Sequence, residues 1–255
     1  PGAGGAIGGN ELFKAKPDGY TVGMFNINNT VREYSMNPER FIYKSKDLQP
    51  VGQFSFFPPM IAVRDDAPWK TLPEVIEYAK QNPNKVRWGH HGRGSPYWTI
   101  GNIIFHHAGI KLLDVPFEGD GKHLIALLGG HVDVSVMTYS ATNREQIKAK
   151  KIRALAVPAK KRYESLPDVP AVEELGFPPQ EVEIYLGAFV PRGTPREVIA
   201  VLHDSIKKVT EQPDFKERMD KIGFPVWYRN TKDFEEGVEK AGRKQLETFK
   251  RLGVL

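Results

Sequence analysis

"VRWGHHGRGSPYWTIGNIIFHHAG", Val86–Gly109, packs three pieces of local physics into one run. Val86–Trp88 closes a short β-like stretch. Gly89, Gly92 and Gly94 then supply backbone that can enter the positive-φ region and approach other groups closely. Ser95 and Pro96 are a helix start signal, a hydroxyl at the cap and a proline at the first helical position. From there Ile100, Ile103, Ile104 and Ala108 recur at helical spacing until Gly109 stops the helix. Strand, glycine loop and helix make the repeating unit of an α/β fold. The loop sits between that strand and the mouth of the helix. Free backbone N–H groups and the partial positive charge at the helix start favour a carboxylate or phosphate there, and Arg93 has the fork to add a bidentate contact.

Reading outward from this unit extends the alternation. Downstream come "LLDVPF" as a strand, "DGKHLIALLGG" as a short helix, "HVDVSVM" as a strand, "TNREQIKAK" as a helix and "IRALAV" as a strand, a succession that predicts a parallel sheet. Upstream, "KTLPEVIEYAKQNPNK" has Thr71 and Glu74 at capping-box spacing and Leu72, Val75, Ile76 and Ala79 on one apolar face. "VGQFSFFPPMIAV" holds two β-like runs broken by Pro58 and Pro59, where the chain is expected to change lobe, and "EVEIYLGAFVP" marks its return. The division this predicts is residues 1–63 with 185–255 in one lobe and 64–184 in the other. In the first lobe a helix runs to the Pro17-Asp18-Gly19 turn, and a strand from Tyr20 to Phe25 leads into the polar "NINNT". Thr194 and Pro195 predict a helix start with Val198, Val201 and Leu202 turned inward. A last amphipathic helix, from Thr231 to Leu252, carries Phe234, Val238, Ala241, Phe249 and Leu252 on one face.

Composition narrows the function classes. The 255 residues are 40% hydrophobic and 26% charged, ordinary for a packed globular protein. The net charge of +5 is carried by interrupted runs such as "KAKKIR" and "AKKRYE", without the aromatic-interleaved basic stripe of a nucleic-acid binder. With no cysteine there is no disulfide, thiolate or Cys-based zinc site. The longest apolar runs fall far short of the roughly 20 residues that cross a bilayer.

Catalytic and metal patterns are weak. "GSPYW" lacks the second glycine of a hydrolase elbow, so Ser95 has no nucleophile geometry. His106 and His107 are adjacent and point about 100° apart on a helix, and His90 and His91 have no companion at a metal-ligand spacing. Asp114, Glu118, Asp120 and Asp133 could meet in a cleft, yet their spacing does not separate a general acid and base from surface carboxylates. No metal and no cofactor is expected. The enzyme alternative is a hydrolase or transferase on an anionic substrate, with Ser95 activated by His91 and an acidic partner.

Several stretches together, "PGAGGAIGG" with "AKPDGYTV", the "GHHGRGSPYW" loop, "VPFEGDGKHLIALLGGHVDV", "KIRALAV", "LPDVPAVEELGF" and "PRGTP", resemble in this order the solute-binding proteins of tripartite tricarboxylate transporters, the Bug receptors. The resemblance implies a two-lobed periplasmic binding protein of type II, the Venus flytrap, each lobe a mixed sheet flanked by helices. It implies a receptor, not an enzyme, that captures a small organic carboxylate between its lobes and delivers it to membrane permease subunits. A periplasmic, monomeric protein with no nucleic-acid partner is expected, and a sensing receptor without a transporter is the variant of this reading. The site residues it implies are His91, Gly92, Arg93, Gly94, Ser95 and Trp98 in and after the loop, Asn28, Asn29 and Thr30 after the first-lobe strand, and Phe117, Gly119, Thr138 and Tyr139 along the remaining wall. Trp98 stands where the family usually has histidine, and with Tyr97 it either stacks on an aromatic or larger ligand or fills the first lobe's missing contact. The opening "PGAGGAIGG" has no Met, charged n-region or apolar run, so a signal peptide is not within it. The family has a strand and a second carboxylate-holding loop ahead of this segment, and without them the first lobe is expected to expose a sheet edge.

Overall fold

The computed structural model describes residues 6–25, 42–178, 184–251 and 253. The chain divides into two compact units, one holding the chain up to Phe57 with Glu183–Lys250, the other Pro58–Val182. It lays down α1 (Ala6–Lys14), β1 (Gly23–Phe25) and β2 (Leu48–Phe56) in the first unit. In the second it forms β3 (Pro59–Arg64), α2 (Leu72–Gln81), β4 (Arg87–His90), α3 (Pro96–His107), β5 (Leu113–Pro116), α4 (Asp120–Leu128), β6 (Val134–Thr138), α5 (Ala141–Lys148) and β7 (Ile152–Ala156). It returns for β8 (Tyr185–Pro191), α6 (Arg196–Glu211), α7 (Pro213–Lys221), β9 (Val226–Arg229) and α8 (Thr231–Arg251).

The first unit's sheet has the order β1-β8-β2-β9, and every ladder in it is antiparallel. One side of it packs Leu12, Tyr43, Leu48, Phe189 and Phe234 with Val238 and Ala241 of α8. A second cluster joins Val51, Ala188 and Val190 to Ile199, Leu202 and Ile206 of α6. The buried stripe of α6 therefore differs from the one read in the sequence, and Val201 is 67% exposed. Thr194 does not cap this helix. Its hydroxyl donates to the Pro191 carbonyl at 2.8 Å, and the helix starts after Pro195 without a side-chain cap. The short β9 and α7 were not anticipated, because four half-buried residues after a glycine turn leave too little pattern to read.

The second unit's sheet has the order β5-β4-β6-β3-β7. β4 runs parallel to β5 and β6, whereas β3 is antiparallel to β6 and β7. The parallel expectation holds for the direction of β4, β5, β6 and β7, which α3, α4 and α5 link. It fails for β3, which enters from β2 through Pro58 instead of through a helix. For the same reason the division falls between Phe57 and Pro58 and not after residue 63. β6 is buried along its whole length, as a strand covered on both faces must be, and Met60, Leu124, Leu127, Met137 and Ile152 form part of the core beneath α4. α2 buries Leu72, Val75, Ile76 and Ala79 as its pattern predicts. Thr71 caps it, and the Glu74 carboxylate accepts the Lys70 N–H at 2.6 Å, one residue before the partner a capping box uses.

Parallel pairing of β4, β5 and β6 puts their carboxyl ends on one edge of the sheet. The segments 91–95, 117–119 and 139–140 therefore gather there, together with the starts of α3, α4 and α5. No described helix is long and apolar enough to cross a membrane.

Candidate functional site

The loop after β4 is shaped by its glycines. Gly92 and Gly94 have φ of +88° and +75°, conformations that side chains with a Cβ rarely adopt, and the Ser95 N–H bonds back to the Gly92 carbonyl at 3.2 Å. Ser95 is then the cap of α3. Its Oγ accepts the Trp98 N–H at 3.1 Å and is almost fully buried. Gly89 serves a different end. A Cβ there would come within 2.3 Å of His123 Nε2, so the missing side chain lets the His123 ring of α4 lie against β4.

Alternation along β4 sends Trp88 and His90 to the opposite face. Trp88 meets Phe105 of α3 edge-on at 5.1 Å and His90 at 4.6 Å. Gly101 of α3 makes room for it, since a Cβ there would lie 2.3 Å from the indole. Asp114 of β5 comes to this same region. Arg93 donates to both of its carboxylate oxygens, at 2.8 Å each, and His90 Nε2 lies 3.4 Å from Oδ2. The Arg93 fork holds the Asp114 carboxyl below its ordinary range, and Asp114 in turn occupies the Nε–Nη2 edge of the guanidinium. The bidentate role read for Arg93 is thus taken by a residue of the protein: the guanidinium staples the loop to β5.

Four rings line up across the edge. Phe117 stacks on His123 at 5.0 Å, His123 meets His91 at 5.4 Å, and His91 meets Tyr97 at 4.2 Å. Tyr97 Oη and Thr138 Oγ1 share a hydrogen bond of 2.6 Å, and the Thr138 carbonyl accepts from Asn143 Nδ2 at 2.7 Å. Burial raises the Tyr97 phenol well above its ordinary value, so it stays protonated. Burial also pushes His90 down to about 4 and His123 to about 3, so both imidazoles are neutral at pH 7. The His123 ring has no hydrogen-bond partner, nor does the buried hydroxyl of Ser135, whose register opposite Gly89 puts it on the face that His123 covers.

His91 Nε2 lies 2.8 Å from Asp120 Oδ1, an ion-pair distance off the hydrogen-bonding line. Asp120 is the first residue of α4. Gly119 before it has φ +91° and gives that helix no side-chain cap. Phe117 is tied to β4 by its N–H, which bonds to the His90 carbonyl at 2.8 Å.

Of the residues expected in the site, His91, Gly92, Arg93, Gly94, Ser95, Phe117, Gly119 and Thr138 gather at this edge. Trp98 and Tyr139 are 7% and 4% exposed, and Tyr139 packs in the hydrophobic core with its hydroxyl on the Ser165 carbonyl, so neither ring is displayed for stacking. Asn28, Asn29 and Thr30 lie outside the described residues. Of the scattered acids, Asp114 and Asp120 join the loop. Asp133 is instead locked to Arg87 by contacts of 2.8 and 3.0 Å, and Glu118 is exposed beside Lys122. His123 was missed altogether, and the one sequence sign of it is a glycine in the middle of a strand. The serine-histidine pair of the enzyme alternative does not form here: the Ser95 hydroxyl caps α3, and the close polar neighbour of the His91 ring is Asp120. Among the described residues no three His, Asp or Glu side chains are grouped as metal ligands.

Over residues 1–254 the chain matches the family described as the tripartite tricarboxylate transporter family receptor. A UPF0065 protein encoded between tcbD and tcbE in a Pseudomonas species is 30% identical over 223 residues, 87% of this chain and 66% of that protein's length. The periplasmic binding protein BugD is 31% identical with a TM-score of 0.87, covering 99% of this chain and 85% of that one. MatC from Rhodopseudomonas palustris, solved with bound malate, is 25% identical with a TM-score of 0.85, covering 97% and 85%. The fold is that of periplasmic binding proteins, and the chain belongs to the tripartite tricarboxylate transporter receptor family.

Proposed function

We propose that this chain is the solute-binding receptor of a transport system, which captures a small organic carboxylate and hands it to membrane permease subunits. The carrying observation is the gathering of three helix starts and the glycine loop on the carboxyl edge of β4, β5 and β6, where N–H donors and helix dipoles receive an anion. The malate held by MatC is a ligand of this chemistry. His91, Gly92, Gly94, Ser95, Phe117, Gly119 and Thr138 are the residues proposed to hold the ligand, with Asn28, Asn29 and Thr30. Arg93 takes part by holding the loop in shape. No bond is made or broken, and the protein works as a periplasmic monomer.

A thermal-shift screen of four- to eight-carbon dicarboxylates, aromatic carboxylates, acidic amino acids and nicotinate-like compounds tests this. At least one carboxylate is expected to raise the melting temperature and to be recovered unchanged. Gly92→Val is expected to abolish that rise, since a β-branched residue does not fit φ +88°. It should lower the unliganded melting temperature as well, because a side chain at φ +88° is strained even though a Cβ at Gly92 meets nothing within 4 Å. A rise that survives the substitution would move the ligand away from this loop.

A further inference from the structure

Charges in the loops after β4 and β5 come in matched sets. Arg93 is bonded twice to Asp114, His91 lies against Asp120, Lys122 lies 3.4 Å from Glu118, and the two remaining histidines, His90 and His123, are buried and neutral. Arg93 and Lys122 thus each already face an acidic partner. Asp114 and Asp120 nevertheless differ. Both oxygens of Asp114 are taken by Arg93, whereas Asp120 turns only its buried Oδ1 to the His91 ring. Its side chain is 35% exposed at the first residue of α4, beside the uncapped N–H donors of that helix. His91 cannot easily swing away, because Tyr97 and His123 flank its ring at 4.2 and 5.4 Å.

We propose that Asp120, held in place by His91, is a specificity-determining residue of the site: it favours a ligand that brings one carboxylate and a hydrogen-bond donor, an ammonium or hydroxyl group, over one that brings a second carboxylate. The inference rests on the receptor reading and refines it to amino- and hydroxycarboxylates. One carboxylate is balanced by the donors and partial charge of the helix starts. A second, arriving at α4, meets the like charge of the Asp120 carboxylate, and the nearby cations Arg93 and Lys122 already face Asp114 and Glu118. An ammonium or hydroxyl at the same place donates to Asp120 in a charge-assisted hydrogen bond. Discrimination built on a repulsive contact of this kind needs only one residue.

The test is titration calorimetry on the full chain with matched sets of four, five and six carbons, each set holding the dicarboxylate, the ω-amino acid and the ω-hydroxy acid. At the length that binds best, the amino or hydroxy acid is expected to bind about tenfold more tightly than the dicarboxylate, and Asp120→Asn should erase that margin. Should Asp120→Asn fail to fold, His91→Gln carries the test, because it bares Asp120 and must steepen the preference for the amino acid. A wild-type preference for the dicarboxylate overturns the proposal, as does a ratio unmoved by either substitution while carboxylates still bind. Failure of every carboxylate to bind the wild type would overturn the receptor reading itself.

Discussion

Arg93 shows how an expected ligand contact becomes an internal one. Its two bonds to Asp114 are well aligned, but the guanidinium is 58% exposed, so the pair adds at most about 1 kcal/mol to stability after solvent screening. Its effect on binding runs through the shape of the loop, and a double-mutant cycle separates that from direct contact. Arg93→Ala and Asp114→Ala are expected to weaken carboxylate binding to a similar extent, and the double variant no more than either alone. If Arg93 instead touched the ligand, Asp114→Ala would free it and tighten binding. Gly89 offers a second cycle. Gly89→Ala drives a methyl into the His123 ring and is expected to destabilise by roughly 1–3 kcal/mol, the usual range for overpacking. His123→Ala in the same chain should recover most of that loss. Chemical denaturation of the four variants reads the result, and additive losses would mean that Gly89 is not there for the ring.

At the scale of elements, what the sequence disclosed depended on how locally each feature is specified. The cap at Ser95, the stop at Gly109 and the buried face of α2 follow from residues within one or two turns, and all three are where the spacing predicts. β9 and α7 were illegible, because their order comes from pairing with β2 and packing on α6, and the start of α6 was misread because Thr194 has a nearer acceptor in Pro191. The site divides the same way. The loop's glycines and serine announced themselves, while the partners of Arg93 and His91 come from β5 and α4 and only the sheet brings them close. His123 is the extreme case, and it carries a pH dependence. Unfolded, His90 and His123 take up protons below about 6.5, the ordinary imidazole value. Folded, they resist protonation until about 4 and about 3. Between those limits the unfolded chain binds more protons, so stability is full above pH 6.5 and falls as the pH is lowered. The depressed Asp114 carboxylate acts further down, below its ordinary value of 3.8. The melting temperature is therefore expected to drop between pH 7 and pH 4.5, and His123→Leu should flatten part of that drop. An equal slope in the variant would place the buried charge penalty elsewhere.

For the whole molecule, the receptor reading makes a thermodynamic demand that catalysis does not meet. A ligand that binds only the folded chain stabilises it in proportion to the logarithm of its free concentration, by about 2.7 kcal/mol at one hundred times Kd. For a protein of this size that corresponds to a rise in melting temperature of roughly 5–10 °C. On the receptor reading nothing reacts, so the rise must not depend on how long protein and ligand have stood together. An enzyme would convert the compound, and the stabilisation would decay toward that of the product. The expected outcome with the best carboxylate of the screen is a melting temperature that climbs with log concentration and is the same after minutes and after a day, with the compound recovered intact. A shift that fades on standing, or a new compound in the recovered solution, would return Ser95, His91 and Asp120 to consideration as a reacting group.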